Sequence, residues 1–297
     1  MRIYRSAAGV KQRILSVGKV AAALGYSRQY FYKHCKEEER RRIVENEVLK
    51  LVHMERKILT RLGGKKLYYQ IKPSMNNQNI KLGRDKLFKL LTINQLLIKP
   101  GRTYTQTTMS KHWLRKYPNL IKTMTITAPE QLWVSDITYI KSDEGNCYLN
   151  LVTDAYSRKI VGYTLASNMD TSSMIPAYQM ALKNRSYPDN LLIHHTDRGV
   201  QYCSQEYTKL SIDNHVKISM TENGDPYENA LAERMNRILK EEFGLGGIIK
   251  TRQQAQILVS EAVSIYNNYR PHWSLKMKTP ESIHLQKIPA TEITGII

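Results

Sequence analysis

The chain has 297 residues, 41% of them hydrophobic, with 45 Lys and Arg against 26 Asp and Glu, a formal net charge of +19. That length accommodates one large domain or several small ones, and no run of eighteen apolar residues reads as a membrane span. The start, Met1-Arg-Ile-Tyr-Arg-Ser, lacks the apolar stretch of a signal peptide, and the widely spaced Cys35, Cys147 and Cys203 suit reduced thiols in a cytoplasmic protein.

The charge is unevenly divided. Residues 1–130 hold 28 Lys and Arg against 8 Asp and Glu, a net of +20, whereas residues 131–297 hold 17 against 18, a net of −1. Such asymmetry predicts an N-terminal module that grips a polyanion, its affinity supplied by neutralised phosphates and released counterions. Nucleic acid is favoured over an anionic membrane because no amphipathic anchor is visible. A basic surface kept for solubility is the plain alternative.

Taken in chain order, residues 19–33 read as a helix, a turn at Gly25 and a second helix capped by Ser27. In a helix-turn-helix, that second helix would carry Arg28 and Gln29 toward DNA. Residues 37–62 read as a separate long helix with Val44, Val48, Leu51, Ile58 and Leu62 on one stripe, stopped by Gly63-Gly64. That stripe suits packing within the domain better than a partner seam. Helices around 65–71 and 84–97 follow, and 99–130 reads as a basic linker.

From Gln131 the texture changes to β-branched and aromatic runs. Three strands are expected at 131–140, 147–154 and 159–166, the first two joined by a turn at Asp143-Glu-Gly-Asn. A helix at 171–185, a strand at 191–197, a helix at 203–214, a strand at 216–220 and a helix at 229–243 complete the series. The order predicts an α/β, RNase H-like mixed five-stranded sheet with flanking helices, preceded by an α-helical helix-turn-helix region. The corresponding division is a DNA-binding region at 1–98, a linker at 99–130, a catalytic core at 131–245 and a helical tail at 246–297.

Three acidic residues stand at informative places: Asp136 within the first strand, Asp197 at the end of the fourth, and Glu233 one turn into the last core helix. Alone, an Asp at a strand end is best read as a turn or N-cap residue. Brought together the three would repel one another, and divalent cations that prefer oxygen ligands would relieve that repulsion. His194 and His195 flank the strand end, as ligands or as packed structural histidines. The loop 221–229, with Gly224 and Pro226, would frame the site. Among Tyr266, Asn267, Arg270, Pro271 and His272, packing is favoured for the Tyr and Pro, and Arg270 is open between packing and DNA.

Asp197 and Glu233 are separated by 35 residues, a spacing that resembles the D,D(35)E pattern of retroviral integrases and bacterial insertion-sequence transposases. Lys240 follows Glu233 by seven residues, where that superfamily commonly carries Lys or Arg. It would share a helix face with Glu233, about 10 Å farther along the axis, with Arg237 on the same stripe. The segments W-V-S-D-I-T-Y-I, V-T-D-A-Y-S-R-K-I-V-G-Y, H-H-T-D-R-G-V-Q-Y, N-G-D-P-Y-E-N-A-L-A-E-R-M-N-R-I-L-K-E-E and Y-N-N-Y-R-P-H-W-S-L-K-M-K-T-P resemble successive blocks of the insertion sequence 3 transposases. Glu228 and Thr196 depart from the common Asp and Ser.

The resemblance implies a DDE polynucleotidyl transferase acting on element ends and target DNA, with Asp136, Asp197 and Glu233 binding two Mg²⁺ (Mn²⁺ able to substitute). It further implies a homo-oligomer on DNA in the bacterial cytoplasm and nucleoid. As a second-reading-frame product, the chain would work with an upstream-frame partner or as a fusion with it. The rival readings are an RNase H-like nuclease without strand transfer and a catalytically silent DNA-binding regulator.

Overall fold

The computed structural model describes residues 16–98, 117–222 and 230–286. The N-terminal helices begin with α1 (Val17–Ala23), whose first turn is closed by the Ser16 hydroxyl accepting from Lys19 N–H. Gly25 takes φ +76° and the Tyr26 N–H returns to Ala21 O at 2.9 Å, so the helix ends as its glycine anticipates. Ser27 then caps α2 by accepting from Tyr30 N–H at 3.1 Å.

Here the structure departs from expectation. The two helices read at 19–33 and 37–62 share one element, because α2 runs unbroken from Arg28 to Ile58. No Gly or Pro interrupts His34–Glu39, and Arg41 pairs with Glu38 at 2.9 Å and Glu45 at 3.5 Å along the same helix. Gly63-Gly64 does not stop this helix either. The chain leaves α2 at Leu59, and Gly63 instead precedes the first residue of α3 (Gly64–Asn77). Leu59 and Leu62 thereby turn inward to join Val48, Val52, Leu67 and Met75 with α4 (Arg84–Ile93) in one apolar core.

Of the segment read as a linker, 99–116 lies outside the described residues, and 117–130 is packed. Leu120 N–H donates to Ser219 Oγ at 2.9 Å, Met220 N–H donates to Pro118 O, and Ile121, Met124 and Ile126 pack beside Leu132 and Ile193.

The sheet comprises β1 (Leu132–Ser142), β2 (Cys147–Asp154), β3 (Ile160–Ala166), β4 (Ile193–Thr196) and β5 (Lys217–Met220), in the order β3-β2-β1-β4-β5. The first three strands are antiparallel, while β4 runs parallel to β1 and β5 parallel to β4. This is the expected mixed sheet with one addition: two residues of the tail, β6 (Ile248–Ile249), pair with Lys141–Ser142.

Alternation along β1 sends Trp133 and Ile137 toward α5 (Thr171–Lys183) and α6 (Gln205–Asp213), and Ile140 toward α7 (Ala230–Glu242) and α8 (Arg252–Asn268). Gly162 lets α5 lie directly on β3, since a Cβ there would stand 2.0 Å from Ala177 O. The tail docks by polar contacts as well. The Asn267 amide accepts from Ile160 N–H and donates to Ile160 O, both at 2.9 Å, imitating a neighbouring strand at β3. His284, in α9 (Pro280–His284), is buried within reach of Glu130 and Ser157. Cys147 and Cys203 are buried, Cys35 is exposed, and none is bonded to another.

Candidate active site

The sheet register brings the two aspartates side by side. Val134 on β1 is opposite His195 on the parallel β4. Two residues beyond each lie Asp136 and Asp197, so extending the same register makes them neighbours. Asp136 is on the face of β1 that α7 covers, and Glu233 is in the first turn of that helix.

Each aspartate is held by short polar contacts. One Asp136 oxygen accepts from Ile137 N–H at 2.9 Å and the other from Asn236 Nδ2 at 2.8 Å. Asp197 Oδ1 accepts from Gly199 N–H at 2.9 Å. A Cβ at residue 199 would stand 3.0 Å from that oxygen, so a larger residue would press on Asp197.

Asp136 retains some exposed surface, yet its carboxyl is enclosed by protein. Burial, followed by the charges of Asp197 and Glu233, pushes its pKa up to about 7. Glu233 is also raised, by partial desolvation and by Asp197. The three carboxyls therefore lie within electrostatic reach of one another. Among the described residues, no three His, Cys, Asp or Glu side chains close on a single point tightly enough to cage an ion.

Lys240 is part of this neighbourhood. Its ammonium lies 4.3 Å from the centroid of the Tyr139 ring on β1. Desolvation lowers its pKa, with Tyr139 and Asp136 acting in the opposite sense. Arg237, three residues before Lys240 on α7, is exposed and pairs at 3.0 Å with Glu241. Arg28 and Gln29 are exposed in the first turn of α2, outside this constellation.

The flanking histidines are internal. His194 Nε2 meets Ser135 Oγ at 2.6 Å, Nδ1 meets Tyr207 OH at 3.0 Å, and the ring stacks on Tyr178. Burial brings its pKa down to about 3, so it stays neutral. His195 Nδ1 meets Ser219 Oγ at 2.8 Å. Arg270 is decided too: it is buried and paired twice with Glu242, at 2.8 and 2.6 Å. In the framing loop, 223–229 and with them Glu228 lie outside the described residues; Glu222 pairs with Lys122.

Sequence reasoning missed Asn236, Tyr139 and Gly199. A signal for the first was present, since Glu233, Asn236 and Lys240 follow the i, i+3, i+7 spacing of one helix face. For Tyr139 only the packing of α7 on β1 provides one.

Two integrase core domain family models match, one over residues 126–226 and the other over 214–280. A 31 kDa protein of insertion element IS600 from Shigella sonnei is 34% identical over 260 residues, covering 86% of this chain and 94% of that protein. The transposase for insertion sequence element IS904 from Lactococcus lactis is 33% identical, with 70% and 82% of the two chains covered. The transposase InsF of insertion sequence IS3fB from Escherichia coli is 32% identical, covering 65% and 67%.

The chain belongs to the insertion sequence 3 family of transposases.

As a DDE transposase it is a polynucleotidyl transferase that cuts and joins DNA in transposition. Its strand order is that of an RNase H-like fold. Among solved structures, the HTLV-2 integrase catalytic core domain in complex with magnesium is 22% identical, with a TM-score of 0.42 over 53% of this chain and 97% of that one. A simian T-cell lymphotropic virus intasome structure gives 18% identity and a TM-score of 0.47 over 77% and 74%. Among the described residues of the transposase, no helix is long and apolar enough to cross a membrane.

Proposed function

We propose that Asp136, Asp197 and Glu233 are the catalytic carboxylates of this transposase and hold two Mg²⁺, with Mn²⁺ able to substitute. The observation that carries the reading is the β1–β4 register, which extends to a pair of neighbouring aspartates beneath the helix that bears Glu233. The donor set fits the cation: it is all oxygen, and burial, with mutual repulsion added, raises Asp136 and Glu233 in the metal-free protein. A three-residue cage is unnecessary, because Mg²⁺ usually takes one or two carboxylates and completes its shell with water and substrate phosphate. Bound there, the ions would polarise the scissile phosphate and lower the pKa of the attacking oxygen.

The chain's own groups supply placement. Ile137 N–H and Asn236 fix the two Asp136 oxygens, Gly199 N–H fixes Asp197, and α7 carries Glu233 over the strand ends. Hydrolysis first breaks a P–O bond at an element end and frees a 3′-hydroxyl. That hydroxyl then attacks a second phosphodiester, forming one P–O bond as another breaks and expelling the new 3′-oxygen as leaving group. Residues 131–245 are the catalytic core in this reading and 246–297 its tail. Residues 1–98, with Arg28 and Gln29, engage DNA through their basic excess, and 99–130 link the two. The enzyme works as a homo-oligomer on element ends and target in the bacterial cytoplasm.

The test uses a duplex carrying one element end. Asp136→Asn, Asp197→Asn and Glu233→Gln should each abolish cleavage and joining while DNA binding persists. Strand transfer by wild type in EDTA, or full activity of any of the three variants, overturns the assignment.

A further inference from the structure

Away from the carboxylates, the N-terminal helices, α7, the β2–β3 turn and the tail meet around a buried arginine. Arg270 pairs twice with Glu242, donates through Nη1 to His272 Nε2 at 2.9 Å and lies 5.7 Å from the centroid of the Tyr266 ring. Tyr266 OH donates to Arg158 O at 2.9 Å, securing the turn where Arg158 adopts φ +66°. From the N-terminal side, Thr60 Oγ1 donates to Glu242 O, and Phe243 and Ile265 pack on the helical core of α2–α4. Arg270 is thus the base of a junction that three parts of the chain build together.

Three more cations lie within electrostatic reach of that base: Lys66 from α3, Arg158 from the turn and Arg234 from α7 all act, with Arg270, on the His272 imidazole, and the Tyr266 hydroxyl touches both Arg158 O and Met235, the neighbour of Arg234. None forms an ion pair among the described residues. Lys66 and Arg158 are half-buried, unlike ordinary solvated surface cations, whereas Arg234 is exposed. Burial, then the charge of Arg270, brings Lys66 down to about 8, with Glu242 opposing and Arg234 adding. Arg158 is lowered by burial and by Arg234, against Tyr266 and Asp154. The nearby anions are already engaged: Glu242 by Arg270, and Asp154 by Ser157 and the Glu130 N–H. Positive charge at the junction therefore exceeds the carboxylates that face it among the described residues.

We propose that Lys66, Arg158 and Arg234 form a phosphate-binding site for the DNA backbone at the junction of the N-terminal helices and the catalytic core. Arg234 follows Glu233 on α7, about 100° round the helix, so the site sits beside the carboxylates. The strand it holds flanks the phosphate being cut. Several cations presented to successive phosphates bind without reading sequence, and their signature is salt dependence.

The experiment measures binding of the full chain to a duplex across a KCl series in EDTA, where neither cleavage nor the carboxylate assignment enters. Lys66→Gln/Arg158→Gln/Arg234→Gln should reduce the magnitude of the log K against log[salt] slope by about 2 to 3, at about 0.9 per phosphate lost. Its Tm should hold or rise, because mutually repelling charges have been removed. Lys183→Gln/Lys209→Gln/Lys217→Gln, which removes the same charge from exposed positions on α5, α6 and β5, should leave the slope within about 1 of wild type. Arg234→Gln alone, at an exposed position that folding tolerates, should lower the slope by about 1 at unchanged Tm. An unchanged slope for Arg234→Gln, or equal slopes for the two triple variants, overturns the proposal. Stabilisation of wild type by millimolar inorganic phosphate that is lost in the first triple variant, with its DNA slope intact, marks a free-anion site and overturns it as well.

Discussion

Asn236 donates its side-chain N–H to Asp136 at 2.8 Å, tying α7 to β1. The other side of that amide, Oδ1, is buried and accepts nothing among the described residues. Its geometry is therefore set by the Asp136 contact rather than shared among several partners. Asn236 stands three residues after Glu233, so one turn of helix both presents Glu233 and fixes the orientation of Asp136.

Asn236→Leu keeps the volume and removes the donor. If Asn236 positions Asp136, this variant should need about 10- to 100-fold more Mn²⁺ for half-maximal end cleavage, the usual cost of losing a partner that orients a metal ligand. Mn²⁺ binding followed by electron paramagnetic resonance should weaken in parallel, with DNA affinity unaltered. Equal Mn²⁺ affinity in variant and wild type would confine Asn236 to packing.

The second expectation concerns pH. Asp136 in the folded, metal-free protein takes up its proton near pH 7, against an ordinary value of 3.8. Between those values the native state binds a proton that the unfolded chain does not, so this group's contribution to stability falls as pH rises from about 4 to 7. Above pH 7 in EDTA the buried charge is fully present and opposes folding. Asp136→Asn should accordingly melt about 2–6 °C above wild type at pH 8, and the difference should shrink toward pH 5. Cation affinity has the opposite trend, because the proton competes with the metal: the Mg²⁺ midpoint for cleavage should rise by up to about tenfold per unit below pH 7. A melting difference independent of pH, in EDTA, would contradict the raised carboxyl.

The third turns on Lys240, held 4.3 Å from the centroid of the Tyr139 ring. An ammonium over an aromatic face keeps its charge while its stem is immobilised, which suits a phosphate contact better than a metal site. Lys240→Ala should reduce end cleavage by about 10- to 100-fold, the worth of one charge-assisted hydrogen bond, at an unchanged Mg²⁺ midpoint. Lys240→Arg should retain most activity. Tyr139→Leu should reproduce part of the loss by freeing the ammonium. If Lys240→Ala shifts the Mg²⁺ midpoint and leaves DNA affinity intact, the residue acts on the cation instead.

The sequence alone determined the elements whose causes are local. Ser27 capping α2, Gly25 in a left-handed turn and the β-branched, aromatic run of β1 depend on neighbours a few residues away, and each is found as read. The charge division and the spacing of Asp197 from Glu233 are likewise properties of the string itself, and with the matching blocks they sufficed for the family. Tertiary structure decided what depends on distant partners. A helix has no local reason to stop between Lys33 and Glu37, so α2 continues until Leu59 finds a core to enter. Ile248–Ile249 becomes a strand only because Lys141–Ser142 offers an edge. Arg270 could have faced DNA by composition, yet its guanidinium found Glu242 and His272 and was buried, since desolvating that charge is tolerable only when its donors are matched. The aspartates became neighbours through the register of two strands about sixty residues apart. Asn236, ordinary in a surface helix, acquired its partner from the sheet beneath it: burial and hydrogen bonding are assigned by what packs opposite, and no short stretch of sequence contains that information.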